Sequence, residues 1–104
     1  MTKLTAGDSI DALQEAYEKR WECTASAMFN YMKGKTKNWK TVGDVANNTC
    51  AQLLRVHHVG KIGFPRILKV LDENEVTHTS RQGLSPRTEE TWLRNASKPT
   101  QAAR

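Results

Sequence analysis

The stretch DSIDALQEAYEKRWECTASAMFNYM, residues 8–32, decides the fold class. Ile10, Leu13, Tyr17, Trp21, Met28 and Met32 recur at helical spacings, with Ala25 filling the gap, so one apolar stripe runs along one face. Asp8 or Ser9 can cap its start, and Asp11 and Glu15 lie where the helix dipole favours anions. Gly34 supplies the stop after Tyr31 and Met32. The spacing predicts one long amphipathic helix that opens a mainly α fold.

A helix of that length is long for a chain of 104 residues, which has room for one modest core. Part of its stripe is left to find a partner, either in the helices that follow or in a second copy of the chain. Residues 1–34 therefore read as an N-terminal amphipathic helix and candidate dimerisation arm, and residues 35–96 as a helical domain. Residues 97–104, SKPTQAAR after Ala96, read as a disordered tail.

Downstream, Thr41 starts a second predicted helix that reaches Val56, with Val42, Val45, Ala46, Cys50, Leu53 and Leu54 on one face. Asp44, three residues after Thr41, imitates a capping box. His57 and His58 follow, candidates for a phosphate contact near neutral or acidic pH, then a turn over Gly60–Gly63, and Pro65 stands where a third helix can begin. Val76–Thr79 alternates β-branched residues and has the pattern of a short strand, with a turn at Ser80–Gly83. Ser85 as N-cap, Pro86 in the first turn and Glu89 and Glu90 behind them give the clearest helix start in the chain. The expected architecture is a long helix followed by a three-helix bundle of helix-turn-helix or winged-helix type, with room for a short β-hairpin.

Charge is distributed unevenly along this frame. Residues 1–32 hold three Lys or Arg against five Asp or Glu, and residues 70–104 hold five of each sign. Residues 33–69 hold Lys33, Lys35, Lys37, Lys40, Arg55, Lys61, Arg66 and Lys69 against Asp44 alone. A local excess of that size attracts polyanions, and phosphate backbones are the commonest such target inside cells. An anionic membrane surface competes for the same charge. The basic loop KGKTKNWK, residues 33–40, adds Trp39, which can anchor the loop or stack on a base.

The mean hydropathy of −0.68 and the short apolar runs argue against a membrane span, and MTKLTAGDSI lacks the apolar core of a secretory signal. A cytoplasmic location is the expectation. Cys23 and Cys50 are far apart, without a CxxC or a histidine at metal-ligand spacing, so they read as thiols packed in helices. No Gly-rich phosphate loop, metal-ligand cluster or nucleophile motif is present, so neither an enzyme nor a cofactor is expected.

Residues 71–95, LDENEVTHTSRQGLSPRTEETWLRN, resemble the helix-loop-helix DNA-binding segment of large serine recombinases and related mobile-element proteins. Leu71, Val76, Leu84, Ser85, Thr88, Trp92, Leu93 and Asn95 fall at the family's spacing, whereas Glu75 and Leu84 stand in place of its glycine and aromatic. The resemblance implies a double-stranded DNA partner and a dimeric accessory or regulatory factor, such as a repressor, partition factor or recombination accessory factor. Lys33, Lys35, Lys37, Lys40, Lys61, Arg66, Lys69, Arg81 and Ser85 then read as phosphate contacts. Arg87, Thr88, Thr91 and Arg94 read as base contacts from the last helix. Two other classes stay open, a protein-interaction adaptor using the first helix and the basic loop, and an RNA-binding protein.

Overall fold

A computed structural model of the chain describes residues 3–35 and 38–96. The expected disordered tail, Lys37 and the side chain of Lys35 lie outside the described residues. The fold is mainly α. Among the described residues six α-helices stand in chain order as α1 (Ile10–Trp21), α2 (Ser26–Asn30), α3 (Val42–Ala46), α4 (Cys50–Leu54), α5 (Gly60–Glu73) and α6 (Pro86–Ala96). A π-helical turn, Tyr31–Lys35, extends α2. No helix among the described residues is long and apolar enough to cross a membrane.

The predicted long first helix is broken. Ser9 caps α1 by accepting from the Asp11 N–H, but at Glu22 the backbone turns left-handed, with φ 51°. The Glu18 carboxylate then accepts from the Ala25 N–H at 2.7 Å and fixes the restart. The core dictates the break. Twelve residues of continuous helix rise roughly 18 Å, yet the rings of Tyr17 and Phe29 meet edge to face at 5.8 Å. Only a chain that folds back can bury both. Ile10, Leu13 and Tyr17 from α1 and Met28, Phe29 and Met32 from the next segment thus enter one core that runs from Leu4 to Val76. The apolar stripe has its partners within the chain, which removes the reason for treating residues 1–34 as a separate arm.

The second predicted helix is also two. Thr41 and Asp44 form the expected capping box, the hydroxyl accepting from the Asp44 N–H and the carboxylate from the Thr41 N–H. Asn47, Asn48 and Thr49 then interrupt it, since such side chains compete for nearby backbone groups. Asn48 donates to the Asp44 carbonyl, and Thr49 with Gln52 makes a second capping box that starts α4.

The third helix begins at Gly60, five residues before Pro65, so the expected turn over Gly60–Gly63 is the first turn of α5. Pro65 leaves only the Lys61 carbonyl of the opening turn without its usual donor. Gly63 is required by close approach, because a Cβ there would meet Met28 Sδ at 3.2 Å and Tyr17 Oη at 3.7 Å.

Ser85 caps α6 as expected, accepting from the Thr88 N–H at 3.1 Å. This helix runs antiparallel to α5. Glu89 sits by the arginine that binds Asp72, Trp92 lies edge-on to Phe64 at 6.1 Å, and the Ala96 carbonyl accepts from Arg66 Nε. The expected hairpin at Val76–Gly83 does not form, and no strand occurs among the described residues. The Thr79 N–H goes to the Ala46 carbonyl and the Gln82 carbonyl accepts from the Cys50 N–H, so the segment lies along α3 and α4 instead. Residues 74–85 between α5 and α6 far exceed the three- or four-residue turn of a helix-turn-helix.

Candidate nucleic-acid interface

A helix start leaves backbone N–H groups without intrahelical partners, and a side-chain oxygen normally takes one of them. Ser9, Thr41, Thr49 and Ser85 do this for α1, α3, α4 and α6. At α2 the N-cap is Ala25 and at α5 it is Val59, and neither makes a side-chain cap, although the Glu18 carboxylate accepts from the Ala25 N–H at the start of α2. The start of α2 adjoins a cleft of about 510 Å³. Thr24, Ser26 and Ala27 line it around the start of α2, and His58 and Arg66 line it from either side of the first turn of α5.

Arg66 is held at the wall of this cleft. Its Nε donates to the Ala96 carbonyl at 3.0 Å, its guanidinium lies 5.1 Å from the centre of the Trp21 ring, and one terminal nitrogen is 3.9 Å from Cys23 Sγ. Trp21 in turn donates from its indole N–H to the Arg66 carbonyl at 3.3 Å. No carboxylate pairs with Arg66 among the described residues. Burial pushes the Tyr17 phenol above its ordinary range, with the nearby Arg66 charge opposing the shift. The cleft floor is therefore a neutral phenol beside a fixed cation.

The loop before α5 adds to this positive field. Arg55, His57, His58 and Lys61 are all exposed, and no acidic residue occurs in the sequence between Asp44 and Asp72. His58 has φ 72°, a left-handed conformation uncommon for a non-glycine residue, and Gly60 follows at φ 56°. Val56 and Val59, each 2% exposed, pin the loop to the core from both sides of the two histidines. The Tyr31 ring packs against His57 at 4.9 Å and His58 at 5.4 Å. Ile62 stands beside them, 46% exposed in the opening turn of α5.

The cations named from the sequence separate into three groups. Lys61 is exposed in the first turn of α5 and Arg66 half-buried in the second, while Lys40 is exposed before α3 and Lys69 is half-buried further along α5. Lys33 is paired on α1, its Nζ 2.8 Å from Asp11 and 3.3 Å from Gln14. Arg81 is committed most fully, reaching both oxygens of Asp72 at 3.2 and 2.6 Å and both oxygens of Glu89 at 2.8 Å. Its assignment to phosphate is corrected on that ground, because two carboxylates already occupy the guanidinium.

On α6, Arg87, Thr91 and Arg94 share one exposed face with Glu90. The Thr91 hydroxyl donates to the Arg87 carbonyl, and Arg94 pairs with Glu90 at 3.5 Å. Thr88 is turned partly inward, its hydroxyl accepting from Ser85 at 2.8 Å, so it does not join that face. Glu89 points to Arg81 and not outward.

Of the cleft contributors, His58 reads in the sequence as a candidate phosphate contact, whereas Thr24 and Ser26 are not singled out there. A signal for them exists at Ala25 and Val59, residues that cannot cap the helices they precede. Cys23 and Cys50 are free thiols, and no group of three or more potential metal ligands is found among the described residues. Comparisons of the chain with family models, curated proteins and solved structures return no match.

Proposed function

We propose that this protein binds nucleic acid, duplex DNA in the first place, by gripping the phosphate backbone at the cleft beside the start of α2. One observation carries the reading: Arg66, which pairs with no carboxylate among the described residues, lines a cleft together with the start of α2 and with His58, just before α5. Backbone N–H groups at a helix start, aided by its dipole, are a ready site for a phosphate. Arg66, already anchored, loses little freedom on binding, and Lys61 and Arg55 supply further positive charge.

The outward face of α6 supplies the second contact. Its start lies near the end of α5, and α5, with 14 residues, is roughly 21 Å long. That span compares with one major and one minor groove side by side, about 12 and 6 Å wide. One duplex can thus meet the cleft with its backbone and Arg87, Thr91 and Arg94 with its base edges. The resemblance of residues 71–95 to recombinase DNA-binding segments supports a role as an accessory or regulatory factor.

The test is titration of a labelled random-sequence duplex over a salt series. Three phosphate contacts, through Arg55, Lys61 and Arg66, predict a slope of log affinity against log salt of about −3. Absence of binding at low salt sinks the proposal. Single-stranded RNA that displaces the duplex at equal concentration redirects it to RNA.

A further inference from the structure

We infer that the cleft binds phosphate together with a proton taken up by His58, so that affinity for the polyanion rises as pH falls through the histidine range. This rests on the phosphate-binding reading above and names a regulation of that same site.

The argument begins with position. His58 lines the cleft, and its left-handed backbone is held by buried Val56 and Val59, so the imidazole is presented from a fixed base and not from a floppy loop. Histidine is the side chain whose charge ordinarily changes near neutral pH.

The groups around it come from each neighbouring element. Tyr17 of α1, Cys23 of the following loop and Arg66 of α5 line the same cleft. Tyr31 and His57 pack against the ring itself, at 5.4 and 5.9 Å. Arg55 and Lys61 flank it in the chain, and Glu18 is the carboxylate bonded at the rim, through the Ala25 N–H.

That set is dominated by positive charge. A phosphate in the cleft adds a further negative charge beside the ring, and an opposite charge within a few ångströms favours the protonated imidazole. The complex therefore holds the proton better than the free protein does. By reciprocity, the protonated protein holds the phosphate better than the neutral one.

The measurement is duplex affinity at constant ionic strength from pH 5.5 to 8.5, with thermal melting at each pH to show that the protein stays folded. One linked proton predicts a gain of up to about tenfold for each unit of pH lowered through the transition. His58→Asn flattens that dependence and is suited to the position, because asparagine tolerates left-handed backbone while carrying no titrating charge. His57→Asn retains the dependence.

A second readout follows the His58 ring by NMR, where its titration midpoint moves upward on adding duplex. Binding that does not vary with pH, or a His58→Asn protein that keeps the full dependence, overturns the inference and leaves the proposed function standing. No binding at any pH overturns both.

Discussion

Towards the start of α5, Arg55, Lys61 and Arg66 pair with no carboxylate among the described residues, whereas at its other end Arg81 is divided between Asp72 and Glu89. The backbone follows the same division. The start of α5 lacks a side-chain cap, while beyond its end the Asn74 side chain donates to the Val70 carbonyl and the Val76 N–H to the Leu71 carbonyl. One end keeps cations without carboxylate partners among the described residues; the other has satisfied its charges internally. Local charge density therefore says less about a binding surface than the whereabouts of the nearest carboxylates does.

The comparison yields predictions that grade from the whole fold to a single carboxyl. The largest effect is expected at Phe64, fully buried and in contact with Trp92, which ties α5 to α6. Phe64→Ala should cost about 3–5 kcal/mol in urea unfolding. A loss confined to α6, seen as a separate early transition, would break the view of α5 and α6 as one packed unit.

Next comes Lys61→Glu, which places a carboxylate where the open end has none. Duplex affinity at low salt should fall by roughly tenfold or more, with the salt slope shallower by about 1. The melting temperature should barely change, since Lys61 is exposed.

The reverse pattern is expected of Arg81→Ala. Removing it leaves Asp72 and Glu89 close together without their cation, at a cost of about 1 kcal/mol after allowing for solvent exposure. Duplex affinity should be unchanged within a factor of about two. A large loss of affinity would erase the distinction between the two ends.

The smallest effect concerns Asp72. Burial raises its pKa, but hydrogen bonds from Arg81 and His78, with their charges, more than offset this and hold the carboxyl below its usual range. A carboxyl depressed in the folded state contributes stability above its unfolded pKa of about 3.9. That contribution is lost as pH falls through the folded value. Acid titration followed by NMR should therefore show Asp72 titrating below a free aspartate, and Arg81→Ala should move it upward.

Much of this architecture was legible in the sequence wherever one side chain served one local purpose. Ser9, the Thr41–Asp44 pair and Ser85–Pro86 announce helix starts, and the structure uses each of them so. The break at Glu22 was not legible, because Met28 and Met32 continue the helical spacing across it and only the demand for Tyr17 to meet Phe29 reveals the fold-back. The split at Asn47–Thr49 had a local signal, the Thr49–Gln52 box, hidden inside a good apolar periodicity.

For the candidate site, Lys61 and Arg66 were visible as charge, but the commitment of Arg81 depends on Asp72 and Glu89, nine residues before it and eight after. Pairing at that range is decided by how α5 and α6 pack, which periodicity does not report. His58 was visible as a residue that could meet phosphate. Its place at the cleft follows from a left-handed backbone angle that its sequence neighbours do not announce.

Gly63 limits how this surface can vary. A Cβ there would meet Met28 Sδ at 3.2 Å, so alanine needs that side chain to yield by a few tenths of an ångström, and a larger side chain needs more of it and of Tyr17. A saturation scan of the cleft should accordingly be lopsided, with its lining residues accepting many replacements and Gly63 almost none. The aperture is fixed by a residue that contributes nothing to its chemistry, so ligand preference can drift while the size of what fits stays the same.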